Sequence, residues 1–185
     1  MLNPEVKGRL AETMVTPAEA LRAGGVEGTV LSMNASWHRT MENEKEKVSL
    51  ASFAFLVVRE GTPFQVEVEY ENGSLKAHHQ DMSAEMGNMA EEEQFASKVK
   101  LISDQQVLEL LESNPRVETT MKKAKHLRLA SLSFVIFDEA YEAPVWQVTL
   151  KNWPLTNFFR REKPITIEAM VEGIRGRVLG VRQVI

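Results

Sequence analysis

The chain of 185 residues contains no cysteine. Disulfides, thiolate zinc sites and thiol nucleophiles are therefore excluded. Basic residues are also outnumbered, because 22 Lys and Arg stand against 26 Asp and Glu and give a net charge of -4. General nucleic-acid-binding proteins usually carry a basic surplus, so this balance argues against that class.

Long apolar segments are missing as well. The most apolar stretch, residues 51–58, contains a serine and is much shorter than the roughly 20 residues of a membrane-spanning helix. Residues 1–7 hold no apolar core of a signal peptide. The sequence therefore predicts no membrane span. The missing signal peptide indicates the cytoplasm, whereas prior removal of a leader would indicate an extracytoplasmic protein.

Two similar segments are the most informative feature that is present. Residues 50–60 and 129–139 share Leu, Ala, Ser, Phe and Glu at matching positions, and residues 64–69 and 146–151 follow them after short turns. The following segments, residues 64–69 and 146–151, alternate strictly between apolar and polar residues. Such alternation is typical of a strand with one face on a core and one in water. Each pair therefore predicts an antiparallel hairpin.

A short helix is predicted before each hairpin. Thr16 and Glu19 have the spacing of a capping box, and so have Ser103 and Gln106. The first helix is expected to end at a glycine pair and the second near Pro115.

Further strands are predicted beside the hairpins. Residues 29–39 form a long strand, and the Asn72-Gly73 turn leads into a strand over residues 74–79. Residues 165–171 alternate in polarity, and residues 178–181 follow a glycine-containing turn.

This order of elements predicts an α+β fold of two tandem units, each a short helix packed on a curved antiparallel sheet. The first unit covers residues 1–97 and includes a linker helix, and the second covers residues 98–185. Residues 81–101 join them. If one half-length unit was duplicated, the segments around Phe55 and Phe134 should occupy equivalent places in their sheets.

The second half resembles the PepSY family. Residues 102–108 resemble the opening helix of that family, residues 144–150 its central strand and residues 169–179 its closing turn. The similarity covers about residues 102–182, with weaker similarity over 16–88. The resemblance implies cystatin-like units and a non-enzymatic binding or inhibitory module, usually extracytoplasmic and often beside peptidases. No functional residue is carried over.

An aromatic segment after the second hairpin is the predicted binding site. Residues 151–159 are interrupted by Pro154 and follow neither strand nor helix periodicity. Large aromatic side chains in a loop often mark a contact surface, although such a loop can also fold back over its own core. The predicted binding residues are Trp153, Leu155, Phe158, Phe159, Arg160 and Arg161.

A histidine and methionine cluster offers a second candidate site, for copper(I), which imidazole and thioether groups suit. Its residues are His79, Met82, Met86 and Met89. The methionine spacing also describes an ordinary apolar stripe on a helix, and neighbouring histidines in a strand point to opposite faces. The stripe is the favoured interpretation, so no metal or other cofactor is predicted.

Other sequence patterns are better explained by packing and solvent exposure than by catalysis or binding. Ser52 and Ser131 occupy matching positions, which packing explains better than catalysis, and no serine lies in a Gly-x-Ser-x-Gly motif. The basic run at residues 122–128 is interpreted as the solvated end of a hairpin.

We therefore expect a non-catalytic binding or assembly module that docks on a protein partner or on a second copy of the chain. The alternative is an enzyme or small-ligand receptor with a pocket between two sheets. Copper binding is the third hypothesis, and nucleic-acid binding is not expected.

Overall fold

The computed structural model describes residues 1–11, 14–42, 45–124, 126–152 and 164–184. The helices in these ranges are α1 (Pro17–Gly24), α2 (Ser83–Met86), α3 (Ala90–Lys98), α4 (Asp104–Glu112) and α5 (Pro115–Lys123). The strands are β1 (Thr29–Glu42), β2 (Lys45–Arg59), β3 (Thr62–Glu71), β4 (Ser74–Asp81), β5 (Leu127–Asp138), β6 (Ala143–Asn152), β7 (Thr166–Glu172) and β8 (Val178–Val184). None of the described helices has the length and apolar character needed to cross a membrane.

All eight strands form one antiparallel sheet in the order β4-β3-β2-β1-β5-β6-β7-β8. Each half contributes a four-stranded meander, and the first strands of the two halves meet at the centre. There, β1 and β5 pair from Ser32 opposite Val135 to Ser36 opposite Ser131. The predicted mixed α+β class with antiparallel strands is confirmed. The two halves do not form separate sheets with a space between them, because the β1–β5 pairing makes the sheet continuous.

Both predicted hairpins form. Strand β2 pairs with β3 from Leu50 opposite Glu71 to Arg59 opposite Thr62. Strand β5 pairs with β6, although the register shifts once near Ala130 and again before Asp138. The predicted Asn72-Gly73 turn connects β3 to β4.

The two similar segments do not occupy equivalent places in the sheet. Residues 50–59 lie in β2, the second strand of its meander, whereas residues 129–138 lie in β5, the first strand of the other. Both strands pair with β1, and Phe55 and Phe134 flank Met33 on its two sides. The expectation of equivalent positions is therefore wrong. The two segments instead share a neighbour, because Ser52 and Ser131 are both opposite Ser36 in β1.

The core lies between one face of the sheet and a helical layer. Phe134 and Trp146 are fully buried at its centre, with ring centroids 4.8 Å apart. Helix α1 contributes Ala20, α4 contributes Val107, Leu108 and Leu111, and α5 contributes Val117 and Met121. The helices therefore use their apolar stripes to cover the apolar face of the strands.

Both predicted capping boxes form at the starts of α1 and α4. Glu19 N–H donates to Thr16 Oγ1 at 3.1 Å, and Gln106 N–H donates to Ser103 Oγ at 3.2 Å. Helix α4 ends at Glu112, close to the predicted end near Pro115, but a second helix, α5, begins at Pro115 and was not predicted. Asn114 caps α5 by accepting from Arg116 N–H at 3.1 Å. Proline at the first helical position is compatible with this start, since its missing N–H would have no partner in the helix.

The linker helix predicted for the first unit is divided into α2 and α3. Gly87 separates them with a φ of 72°, in the left-handed region that favours glycine. Helix α3 packs its Ala96 against Leu31 and Val58, at one end of the sheet face opposite the main helical layer.

Asp104 is a buried carboxylate at the start of α4. Its Oδ1 accepts from the backbone N–H groups of Asn3 and Gln105, both at 2.9 Å. Burial raises the pKa of Asp104 to about 6, because the charged form loses its hydration, and these hydrogen bonds oppose the increase only in part.

Replacing Asp104 should change how stability depends on pH. A raised pKa in the folded state means that the carboxyl group stabilises the fold fully in acid, and that this contribution is lost as pH rises through about 6. Asp104→Asn should therefore match the wild type near pH 4 and exceed it near pH 8, by on the order of 2 kcal/mol in unfolding free energy. Urea unfolding at the two pH values measures this difference. The exposed Glu27→Gln is the control, and equal pH dependence in Asp104→Asn and wild type would contradict the interpretation.

Candidate functional site

The face of the sheet opposite the main helical layer is the candidate site. In β1, exposed Asn34 and Ser36 alternate with buried Met33 and Ala35. Successive residues of a strand point to opposite faces, so the polar members lie away from the core. Helix α3 covers one end of this second face, and we call the remainder the open face.

One row of side chains crosses all eight strands of the open face, and we call it the hydroxyl row. From β4 to β8 it consists of Lys76, Glu69, Ser52, Ser36, Ser131, Thr149, Glu168 and Arg182. Read inward from either edge, the order of chemistry is the same: a base, a carboxylate and two hydroxyls. Ser36 and Ser131 meet at the middle, across the β1–β5 pairing.

A second row lies beside the first, and we call it the amide row. From β4 to β8 it consists of His78, Glu67, Ala54, Asn34, Ser133, Gln147, Met170 and Gly180. Ser133 Oγ donates to Asn34 Oδ1 across the β1–β5 pairing at 3.3 Å. The two rows together form a polar band over the centre of the open face.

The two outer parts of the hydroxyl row differ in their ion pairs. On the β8 side, Arg182 Nε donates to Glu168 Oε2 at 2.6 Å in an exposed ion pair. Lys76 and Glu69, both in the described chain, form no ion pair with each other although they are opposite in register. The Glu69 carboxylate can therefore accept a hydrogen bond from a group on another molecule.

Two concavities follow the polar band on either side of its centre. The first, of about 460 Å³, is lined by residues that include Ser36, Ser52, Glu67, Glu69, Lys76 and His78. The second, of about 590 Å³, is lined by residues that include Gln147, Thr149, Glu168, Met170 and Arg182. The open face is therefore grooved along the direction of the rows.

Three carboxyl groups of the described chain have shifted pKa values: Asp81, Asp104 and Glu118. Hydrogen bonds from the Ser83 side chain and backbone lower the pKa of Asp81, at the end of β4. Lys122 lowers the pKa of Glu118 on α5 by hydrogen bonding and charge. Asp104, described above, belongs to the helical layer. The polar band supplies hydroxyl, amide and charged side chains, which can form hydrogen bonds and ion pairs.

The predicted aromatic site lies outside the described residues. Its members all fall within residues 153–163: Trp153, Leu155, Phe158, Phe159, Arg160 and Arg161. Their role in binding stays a prediction.

The structure does not bring the four residues of the copper hypothesis together. His79 is opposite the buried Val66, so it lies on the helix-covered side of the sheet. Met82 and Met86 line a concavity on the open face, and Met89 packs against the cluster formed by Leu31, Val58 and Ala96 at the end covered by α3. Among the described residues, no group of three or more His, Asp and Glu has a metal-binding arrangement.

The basic run at residues 122–128 is not the solvated end of a hairpin. Lys122 and Lys123 form the last turn of α5, where their charges favour the carboxyl end of the helix. Arg128 lies in β5 and is only 8% exposed. The described residues of the run are therefore divided between a helix end and a buried strand position.

Several residues of the polar band were not predicted as site residues. Sequence reasoning assigns Ser52 and Ser131 to packing rather than catalysis and names neither as a binding residue. The structure places both beside Ser36 on the open face. The alternation of apolar and polar residues in β1 indicates that Asn34 and Ser36 lie on the face away from the core. Which residues join them from other strands depends on strand order and register.

Copper(I) affinity should be the same in the wild type and in Met86→Leu. The reason is that His79 and Met86 lie on opposite sides of the sheet and cannot ligate one ion. Titration against a competing chelator measures the affinity, and Met170→Leu, elsewhere on the open face, is the matched control. A clear loss of affinity in Met86→Leu but not in Met170→Leu would show that the cluster does bind copper.

Comparisons with known proteins do not place the chain in a family. Neither protein-family models nor curated proteins gave a match. Among solved structures, a candidate lipoprotein from Clostridium difficile 630 is similar, with 11% sequence identity and a TM-score of 0.42. The alignment covers 90% of this chain and 91% of that chain. Similarity at this level carries no argument about function.

Proposed function

We propose that the chain is a non-catalytic binding module that docks on a protein partner through the polar band. The observation that carries this proposal is the hydroxyl row, which runs without interruption from Lys76 to Arg182 across all eight strands. The partner would lie across the strands, over the β1–β5 pairing.

The size of the polar band supports a macromolecular partner. Neighbouring strands are about 4.8 Å apart, so the seven spacings between eight strands extend over roughly 34 Å. Each row adds about 7 Å in the strand direction, which gives an area on the order of 500 Å². Stable protein interfaces bury about 800 Å² per partner, and transient interfaces bury less. The band therefore fits a transient protein contact and exceeds the needs of a small ligand.

The chemistry of the band supports a polar partner surface. Hydroxyl and amide groups both donate and accept hydrogen bonds, and protein interfaces form about one hydrogen bond per 100–200 Å². Glu69 has no ion-pair partner among the described residues, so a basic side chain of the partner could pair with it. The second concavity has its carboxylate already paired with Arg182.

The contacts of the central serines support a non-catalytic role. Ser36 Oγ and Ser52 Oγ lie 2.8 Å apart and hydrogen-bond to each other. A nucleophilic serine needs a base within hydrogen-bond reach. Neither hydroxyl forms a hydrogen bond to a described histidine, lysine or carboxylate, Glu69 opposite Ser52 included. His38 lies two residues farther along the same face of β1, about 7 Å away along the strand.

We also propose that each half is one cystatin-like unit, as the PepSY resemblance implies. In this proposal the strands of the two halves are matched differently from the similar segments 50–60 and 129–139. Matching β1 with β5 and the outer strands in order superposes the two halves of the hydroxyl row. Lys76 then corresponds to Arg182, Glu69 to Glu168 and Ser36 to Ser131. The symmetric strand order supports this correspondence.

Photo-crosslinking in cells that express the chain tests the docking surface. A benzophenone amino acid at Asn34, in the polar band, should give one discrete protein adduct. The same probe at Lys122, exposed on α5, should not. Adding Ser36→Arg should reduce the adduct at least tenfold, because a long charged side chain fills the middle of the row. Thr119→Arg on the helical side should leave it unchanged. Equal adducts from both probe positions, or an adduct that survives Ser36→Arg, would contradict the proposal.

A further inference from the structure

Strand β4 is an open edge of the sheet. It pairs with β3 from Ser74 to Asp81 without a register shift, and all of its residues are exposed. Its backbone makes no hydrogen bond beyond β3 within the described chain. A long, regular edge with free backbone groups is a template for another strand.

The turn before β4 determines which backbone groups face outward. In a two-residue hairpin such as Asn72-Gly73, the flanking residues Glu71 and Ser74 form a hydrogen-bonded pair. Hydrogen-bonded pairs then recur at every second residue. Met82 N–H donates to Pro63 C=O at 2.9 Å, which fits this alternation. The residues whose N–H and C=O groups face outward are therefore Leu75, Ala77, His79 and Asp81.

The opposite edge of the sheet is partly closed. Arg116, on α5, donates from Nη1 to the carbonyl of Val181 in β8 at 2.9 Å. The β7–β8 ladder also contains a register shift between Met170 and Val171. Occupied carbonyls and irregular register both oppose the addition of a strand. The two edges of this sheet therefore differ in their readiness to pair.

We propose that the chain forms a homodimer by antiparallel pairing of β4 with β4 of a second copy. Centred on His78, this pairing sets Ala77 opposite His79 of the second copy and Leu75 opposite its Asp81. Every outward N–H and C=O group of both strands is then paired. Lys76 comes opposite Gln80, so lysine does not oppose lysine across the interface.

The properties of the edges favour a second copy as the occupant and a closed dimer as the product. Pairing of β4 with itself is isologous, so it uses up the open edge of both copies. Pairing of β4 with β8 would be heterologous and would extend into a filament, but Arg116 obstructs that edge. Antiparallel pairing also keeps the two open faces on the same side of the joined sheet. The polar bands of both copies would thus face one partner.

Sedimentation velocity over a concentration series tests the dimer, with Ala77→Pro as the main variant. Proline removes the outward N–H of Ala77, which the β3–β4 ladder does not use, and its ring obstructs the incoming strand. The wild type should dimerise as concentration rises, and Ala77→Pro should stay monomeric with an unchanged circular dichroism spectrum. Gln183 lies two residues beyond Val181, whose carbonyl accepts from Arg116, so its N–H also faces outward. Gln183→Pro should therefore dimerise like the wild type.

Amide exchange in the wild type gives a second readout that needs no variant. The N–H groups of Ala77 and His79 should exchange more slowly as the dimer forms. A wild type that stays monomeric at high micromolar concentration would overturn the proposal. So would a dimer in which these amides still exchange rapidly, or a folded Ala77→Pro that dimerises normally. A monomeric wild type that instead pairs β4 with a strand of another protein would also overturn it. The crosslinking from Asn34 is independent of all these outcomes, so the dimer and the docking surface can fail separately.

Discussion

The pairing of β1 with β5 is the constraint on which the rest of the structure depends. It is short, from Ser32 to Ser36 along β1, yet it turns two four-stranded meanders into one sheet. Without it, both central strands would be edges with unpaired backbone groups. With it, Phe55 and Phe134 pack on either side of Met33, beneath one helical layer.

The same pairing creates the polar band. Side chains alternate along each strand, so the register that buries Met33 beside Phe134 also brings Ser36 beside Ser131 on the other face. A slip of one residue would move hydroxyls into the core and aromatic rings into water. The core therefore fixes the position of the band, and the two surfaces cannot shift independently. For the proposed docking, side chains held by a packed sheet lose less entropy on binding than side chains of a flexible loop would.

Local features of the fold could be predicted from the sequence, because their signals lie within a few residues. The capping boxes at Thr16 and Ser103 and the Asn72-Gly73 turn are of this kind. The start of α5 was missed although its signal is also local, since Asn114 and Pro115 can end one helix and begin another. The alternation in β3 identified the exposed face of that strand.

Features that depend on contacts between distant strands could not be predicted in the same way. Nothing in the polarity pattern says that β1 has β5 as its neighbour, and the similarity of the two segments suggested a different correspondence. The hydroxyl row collects single residues from eight strands, so no stretch of sequence displays it. Ser36 and Ser131 come together only through the central pairing. The candidate site could therefore be identified only from the strand register, whereas the hairpins could be predicted from the sequence.

Engineered cysteine pairs test the central pairing most directly, because the chain has no cysteine of its own. Asn34→Cys combined with Ser133→Cys places the two Cβ atoms about 5 Å apart, within reach of a disulfide. Asn34→Cys combined with Gln147→Cys spans two strand spacings, about 10 Å, and is the control. We predict that mild oxidation forms an intramolecular disulfide in the first protein and leaves free thiols in the second. Free thiols in the first protein, or a disulfide in the second, would contradict the account.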